Sequence, residues 1–185
     1  MVENQPAGAA VTVVRRPEAE IRTELHASLQ ELLGACFPGY PARSYFKLPP
    51  HFRYVAMSGG AVEGQLGVEL RVVRVGDEIL RTFGVVDLCV RDDRRGQGLA
   101  YRLLAEATDY AGACEMDFVV LFADDDRLYR RNGFVHVDNP LSWVKIHDHT
   151  TLGVARAVTP HEMMVKAIGP RAWPTGEVDL LGHVF

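Results

Sequence analysis

The segment from Val85 to Ala113 constrains the fold of this chain more than any other. A strand-like apolar run, Val85–Val90, leads into a charged turn that contains Gly96 and Gly98, and a helical pattern follows over Leu99–Ala113. Glycine has no Cβ, so an anion can come close to the backbone of such a turn. The first N–H groups of a helix point outwards, and the helix dipole adds about half a positive charge there. The segment therefore predicts a strand, an anion-binding turn and a helix.

Two familiar phosphate-binding motifs do not fit this turn. A dinucleotide-binding fold places its glycine turn after the first strand of a βαβ unit, whereas several predicted strands come before this one. A Walker A loop requires Gly-Lys followed by Ser or Thr, which the turn lacks. The alternative to an anion site is a tight strand-to-helix turn without a ligand.

The remaining pattern predicts a mixed α/β (α+β) fold, with a mostly antiparallel central sheet flanked by helices. Apolar residues at helical spacing predict a helix over Glu18–Phe37, and the four prolines that follow it predict a loop over Pro38–His51. A short helix is expected over Asp124–Asn132. Strands are predicted at 10–15, 52–58, 61–75, 79–90, 118–122, 134–137 and 161–167. Residues 138–160 look less regular, and 169–185 look like an extended tail with turns.

The bulk properties limit the class of protein. The 185 residues suffice for one domain, which we expect over 10–185 after a flexible tail at 1–9. A net charge of −4 argues against nucleic acid as a partner. The three cysteines have neither a disulfide framework nor metal-ligand spacing, so no metal is expected. The absence of a signal-like start and of any long apolar stretch predicts a cytoplasmic protein without a membrane partner.

The turn resembles a motif of a known superfamily. Arg95-x-x-Gly98-x-Ala100 is similar to the R/Q-x-x-G-x-G/A turn of the GNAT superfamily of N-acetyltransferases, and the order of elements agrees over roughly 11–167. The resemblance implies the GNAT fold and acetyl-CoA, or another acyl-CoA, as the donor. It also implies that the donor's pyrophosphate lies on the turn residues, which are Arg95, Gly96, Gln97, Gly98, Leu99 and Ala100.

The strand before the turn has a further role in that superfamily. It separates from its neighbour, here expected after Phe122, and its backbone pairs with the pantetheine amides of the donor. The residues in that stretch are Leu88, Cys89 and Val90. The Val90 N–H would polarise the thioester carbonyl as an oxyanion donor.

A second motif follows one helix and one strand later. Tyr129 lies 31 residues after Gly98, and Leu128-Tyr129-Arg130-Arg131-Asn132-Gly133-Phe134 resembles the L-Y-x-x-x-G-F signature of the same superfamily. The resemblance implies that Tyr129 is the general acid, since a phenol placed there can protonate the leaving thiolate. The alternative is a packed core tyrosine whose hydroxyl is satisfied locally.

The general base is less well defined. Many relatives carry a glutamate at the position of Val86, and here the acidic residue is its neighbour, Asp87. A shift of one residue along a strand moves a side chain to the opposite face, unless a β-bulge re-aims it. Water, the cluster Asp124–Asp126 or Glu177 are the alternatives for removing the proton of the attacking ammonium. That cluster also reads as a charge run at a helix N-terminus.

The end of the chain carries a further resemblance. Trp173-Pro174-Thr175-Gly176-Glu177-Val178 resembles the W-P-x-G-x-V segment of nodulation-type N-acyltransferases and the W-x-x-G-D-V ending of aminoglycoside 2′-N-acetyltransferases. It implies that Trp173, Glu177 and Asp179 line the acceptor site, although Trp173 also fits a packing role. The chain lacks the strand glutamate of the aminoglycoside group and extends beyond Val178, so the resemblance does not imply activity on aminoglycosides.

Three functions are consistent with these residues. The first is N-acetylation of a primary amine on a small polar acceptor, such as an amino sugar or an aminoglycoside-like compound. The second is a long-chain N-acyltransferase that takes its donor from an acyl carrier protein, for which arginines would supply a basic surface. Those arginines are Arg91, Arg94, Arg95, Arg130 and Arg131. The third is a CoA-binding module without turnover. Similar enzymes are commonly paired, so a homodimer is expected.

Overall fold

A computed structural model describes residues 10–158 and 162–185, so the predicted tail at 1–9 and His161 lie outside the described residues. The three α-helices in these ranges are α1 (Thr23–Cys36), α2 (Leu99–Ala113) and α3 (Arg127–Arg131). The strands are β1 (Thr12–Pro17), β2 (Phe52–Ser58), β3 (Ala61–Val75), β4 (Glu78–Val90), β5 (Phe118–Phe122), β6 (Val135–His136), β7 (Leu141–His147), β8 (Thr150–Ala157), β9 (Met163–Ala167) and β10 (Val178–Asp179).

One mixed sheet contains all of these strands. Its order is β6-β9-β5-β4-β3-β10-β7-β8, with β2 and then β1 added to the first half of β3. The pairs β4–β5 and β10–β7 are parallel, and the other pairs are antiparallel. The mostly antiparallel sheet expected from the sequence is therefore confirmed. Because β3 pairs with β2 near its start and with β10 at its end, it joins the two halves of the sheet.

The two longer helices cover opposite faces of this sheet. On α2, Leu103 and Leu104 are fully buried and pack with Tyr54 and Ala56 of β2. On α1, Leu29, Leu32 and Leu33 pack with Val55, which lies between those two β2 residues. Successive strand residues point to opposite faces, so the alternation along β2 places one helix on each side.

Two segments differ from their predictions. Residues 138–160, expected to be less regular, contain the β7–β8 hairpin, and the tail at 169–185 supplies β10, a two-residue strand between β3 and β7. Most of β8 is exposed on both faces, so its sequence carries no period-two apolar pattern. β10 is too short for any such pattern. None of the helices in the described ranges is long and apolar enough to cross a membrane.

Candidate active site

The candidate site begins where two neighbouring strands separate. Only three residues of each strand pair: Thr82–Gly84 of β4 lie beside Phe118–Val120 of β5. The last two residues of β5 pair with β9 alone. The separation starts after Val120, two residues earlier than the Phe122 expected from the sequence. It leaves one edge of β4 without a neighbouring strand from Val85 to Val90. The result is a cleft of about 430 Å³ between the two strand ends.

A β-bulge lies in the free stretch of β4. Gln65 pairs with Cys89 and Gly67 pairs with Val86, so β4 carries one more residue than β3 between these pairs. The bulge consists of Asp87 and Leu88, which lie opposite the single residue Leu66. The φ of Asp87 is 52°, in the left-handed region. The sequence analysis allowed Asp87 to reach the site only through a β-bulge. That bulge is present, and Asp87 lines the cleft. A bulge increases the twist of its strand, which accounts for the early departure of β4 from β5.

Asp87 is held at two points. The Tyr40 hydroxyl donates a 2.6 Å hydrogen bond to Asp87 Oδ2, and the Gln65 side-chain amide donates to the Asp87 carbonyl. Burial raises the pKa of Asp87 above its usual value, although the Tyr40 hydrogen bond and the charges of Arg53 and Lys47 act in the opposite direction. A carboxylate with a raised pKa is a better proton acceptor near neutral pH.

Two of the other acidic candidates, Asp125 and Asp126, are engaged in ion pairs near the surface. Asp125 binds Arg127, whose guanidinium lowers the pKa of that carboxyl to about 2. Asp126 binds His136 and Arg130, which also lower its pKa. Each of these partners stabilises the ionised carboxylate and so weakens it as a base. Asp124 lines the cleft and has no such partner within 10–158 and 162–185.

Tyr129 lies across the cleft from β4. Its ring packs edge-on against Phe134, with 6.0 Å between centroids, while the residue lines the cleft. Burial, followed by the charge of Asp125, raises the pKa of Tyr129. No other described residue hydrogen-bonds its hydroxyl, so the core contains the ring but does not satisfy the O–H. A phenol in this state keeps its proton until a stronger base is presented.

The glycine turn has the geometry of an anion cradle. Gly96 and Gly98 have φ values of 74° and 79°, and a Cβ on either would meet no atom within 4 Å. Their N–H groups and that of Gln97 donate to no other described residue. Gly98 is the N-cap of α2, so the first N–H groups of the helix open on the same side. The residues present therefore fit a phosphate group.

The arginines around the turn are mostly paired. Arg91 and Arg94 both reach the buried Glu63, at 3.4 Å and 3.2 Å, and Arg95 binds Asp92 at 2.9 Å. Sequence reasoning missed Glu63. Its only sign is a carboxylate inside a predicted strand, three residues after the Gly-Gly turn.

The backbone of β4 presents a free donor to the cleft. The Arg91 N–H donates to the Glu63 carbonyl at 2.9 Å, which makes these residues a hydrogen-bonded pair. Donors alternate sides along an antiparallel strand, so the N–H of the preceding residue, Val90, points away from β3. That side is the edge that β5 has left. The side chain of Cys89 is buried against α1, whereas Leu88 lines the cleft.

The predicted acceptor residues of the tail lie elsewhere. The Trp173 indole donates to Asn139 Oδ1 at 2.9 Å, and its ring packs edge-on against Phe118. Glu177 pairs with Arg156 and Asp179 with Arg74. None of the three lines the cleft or the two cavities that adjoin it. Their contacts account for anchoring the tail, and an acceptor role for them stays a prediction.

The tail reaches the site through its last residues. Phe185 lies in the cleft, and a Cβ on Gly84 would come within 2.5 Å of its ring. The Lys47 ammonium donates to the Val184 carbonyl at 2.9 Å, and His183 Nε2 lies 3.1 Å from Glu69 Oε1. Nothing in the sequence pattern signals these contacts, because they join segments more than 100 residues apart.

A larger cavity of about 620 Å³ adjoins the cleft, with which it shares Phe122, Ala123 and Asp124. Most of its lining is apolar, from β5, β7 and Val184. Four charged residues complete the wall, namely Lys47, Asp124, Lys145 and Glu162. Such a cavity next to Asp87 and Tyr129 is suited to a second small molecule.

Residues 22–137 match the family model described as an acetyltransferase (GNAT) domain. The chain belongs to this family. The GNAT fold is also found in a GNAT family N-acetyltransferase from Escherichia coli in complex with CoA, which is 23% identical with a TM-score of 0.63 over 97% of this chain and 93% of that one. A GNAT family acetyltransferase from Brucella melitensis in complex with acetyl-CoA is 20% identical, with a TM-score of 0.59 over 90% and 94%.

An acyl-CoA N-acyltransferase from Pseudomonas aeruginosa is also similar to this GNAT domain. It is 20% identical, with a TM-score of 0.59 over 85% of this chain and 100% of that one. No curated protein sequence gives a significant match. The solved structures therefore support the fold over nearly the whole described chain.

Replacing Trp173 by Phe tests whether this residue is structural. The change removes the hydrogen bond to Asn139 and part of the packing on Phe118, so urea unfolding should show a loss of about 1–3 kcal/mol. Trp143→Phe is the control, since Trp143 lines the large cavity and makes no indole hydrogen bond among the described residues. An unchanged free energy of unfolding in Trp173→Phe would contradict the anchoring role.

Proposed function

We propose that this chain is an acetyl-CoA-dependent N-acetyltransferase that acts on the primary amine of a small polar acceptor, such as an amino sugar. The observation that carries the proposal is the arrangement of four groups at the free end of β4. Asp87 and Tyr129 line the cleft, and the outward Val90 N–H and the open glycine turn follow Asp87 along the chain. The crystal structures with CoA from E. coli and with acetyl-CoA from B. melitensis support the choice of donor.

The donor side of the cleft uses backbone groups. The N–H groups of Gln97, Gly98 and Ala100 bind the pyrophosphate at the start of α2. The free edge of β4 takes the amides of the pantetheine arm as it would take a neighbouring strand. Acetyl-CoA supplies the acetyl group as a thioester, and the Val90 N–H binds its carbonyl oxygen.

Two side chains handle the protons. An amine attacks only after it has lost its extra proton, and Asp87 is the carboxylate that accepts it. Tyr129, which burial keeps protonated, donates its proton to the departing sulfur. Asp87 lies on β4 and Tyr129 on α3, and both line the cleft, so the acceptor amine and the leaving group do not compete for one residue.

The charge of the large cavity supports a choice of acceptor. Its two lysines and two carboxylates balance, and the rest of its wall is apolar. A polycation such as an aminoglycoside would need an excess of carboxylates, since each buried ammonium must be paired. This favours an acceptor with one amine on a compact body. The similarity of the tail to aminoglycoside and nodulation-type enzymes stays a prediction.

The two alternatives have less support. A donor on an acyl carrier protein would dock on exposed basic residues, but four of the five arginines predicted for that surface are paired with carboxylates of the chain, namely Arg91, Arg94, Arg95 and Arg130. The argument for a CoA-binding module without turnover was the missing strand glutamate. In the function we propose, Asp87 in its bulge takes the role of general base instead. The homodimer and the cytoplasmic location also stay predictions.

An acceptor screen with acetyl-CoA tests the proposal. Thiol release is expected with glucosamine-like mono-amines and to a smaller extent with aminoglycosides, polyamines and peptides. Acyl carrier protein loaded with a long acyl chain serves as the competing donor. Release from the carrier protein but not from acetyl-CoA would favour the second function. CoA binding without thiol release from either donor, with any amine, would favour the third.

Gly98→Ala tests the pyrophosphate turn. At a φ of 79° an alanine is strained by about 1–2 kcal/mol, and its methyl group occupies the space expected for the phosphate. Calorimetry should show CoA binding weakened at least about tenfold. The matched control is Gly153→Ala in the β7–β8 hairpin, where φ is 113° and the space around a Cβ is also open. Equal losses in both variants would contradict the assignment.

Tyr129→Phe tests the general acid. The ring contact with Phe134 is kept and only the hydroxyl is lost, so CoA affinity should stay within about twofold of the wild type. Turnover should fall about 100-fold, the usual contribution of a general acid. An unchanged kcat would remove Tyr129 from the mechanism.

A further inference from the structure

The position of Asp87 traces back to a buried arginine. Arg53, on β2, is fully buried and makes four hydrogen bonds. Two go to the carboxylate of Glu18 at 2.7 Å and 3.0 Å, one to Gln65 Oε1 at 3.1 Å and one to the Ser44 carbonyl at 2.7 Å. A buried guanidinium is tolerated only when its donors are paired, so these four contacts hold one another in place.

One arm of this network reaches the backbone of Asp87. Arg53 occupies the side-chain oxygen of Gln65, which fixes the orientation of that amide. The nitrogen of the same amide then donates to the Asp87 carbonyl. Asp87 has a φ of 52°, a strained conformation for a non-glycine residue that persists only when surrounding contacts hold it. Gln65 provides that hold.

The other arm reaches the carboxylate of Asp87. The bond from Arg53 to the Ser44 carbonyl anchors the loop between α1 and β2. Tyr40 lies in that loop and donates to Asp87 Oδ2 at 2.6 Å. Its ring is stacked on Phe37 and packed against Phe46, with 5.8 Å and 5.5 Å between centroids. The hydroxyl therefore has a fixed direction.

We propose that Tyr40 and Gln65, oriented by Arg53, are positioning residues that hold Asp87 in place as the base for the acceptor amine. The inference rests on the proposed function. Tyr40 fixes the Asp87 carboxylate, and Gln65 fixes the backbone that carries it. Together they give the carboxylate one position and one orientation. Because one Asp87 oxygen is taken by Tyr40, the other is left for the acceptor.

The network also sets the acidity of Asp87. The charged and titratable groups around it are Tyr40 and Lys47 from the loop, Arg53 from β2, Glu69 from β3, Cys89 from β4 and, through Glu69, His183 from the tail. The Tyr40 hydrogen bond stabilises the carboxylate and lowers its pKa against the effect of burial. Its removal must therefore raise the pKa of Asp87.

Tyr40→Phe is the test, since it keeps the ring contacts and loses only the hydroxyl. The acid limb of the kcat/KM profile, along which activity rises as Asp87 ionises, should move about half a pH unit or more to higher pH. The plateau kcat should fall about tenfold, because the carboxylate is no longer aimed. CoA affinity should match the wild type.

Tyr45→Phe is the matched control in the same loop. Its hydroxyl lies 3.3 Å from His149 Nε2 rather than at Asp87, so the acid limb should not move. A loss of kcat in Tyr40→Phe without movement of the limb, or equal effects in both variants, would overturn the positioning role.

A second measurement separates this inference from the proposed function. Carbon NMR titration of the Asp87 carboxyl needs no turnover, and Asp87→Asn identifies its signal. A higher pKa in Tyr40→Phe than in the wild type supports the positioning role even if no amine is acetylated, and an unchanged pKa overturns it. If Asp87→Asn releases thiol as fast as the wild type, Asp87 is not the base and the positioning role is overturned. The proposal that the chain binds CoA would be unaffected.

Discussion

The site depends on the end of the pairing between β4 and β5. Three residues of each strand pair, and beyond Gly84 and Val120 the strands separate. A strand edge without a neighbour presents N–H and C=O groups that must be satisfied, which is a liability in most proteins. Here the exposed edge belongs to a cleft, which Asp87 and Tyr129 line. In the function we propose, donor binding, oxyanion stabilisation and access for the acceptor all depend on that one gap in the sheet.

The bulge at Asp87 is the second constraint. A bulge bends its strand, and here it turns the Asp87 side chain towards the cleft. In a regular strand the same side chain would lie on the opposite face. The strained φ persists because Gln65 and Tyr40 bind the residue from two directions. This GNAT domain therefore has a carboxylate at the site although its sequence lacks the strand glutamate of many relatives. The compensation involves backbone geometry rather than a substitution.

Sequence reasoning identified what local patterns encode. The turn at Gly96 and Gly98 follows from glycine chemistry, and the requirement for a bulge at Asp87 follows from the two-residue period of a strand. It missed contacts between distant segments, such as Tyr40 with Asp87 and Phe185 with Gly84, because no spacing rule links residues so far apart. For Trp173 it offered both an acceptor role and a packing role; the residue packs on Phe118, and the acceptor role stays a prediction. An aromatic residue in a tail fits both roles until its neighbours are known.

The most direct test of the account is amide hydrogen exchange with and without saturating CoA. The account predicts that exchange slows at Val90 and at Gln97, Gly98 and Ala100, whose N–H groups gain partners from the donor. Thr82–Gly84, already paired with β5, should not change. If CoA binds and Val90 exchanges as fast as before, the free edge of β4 is not the donor site and the account is contradicted.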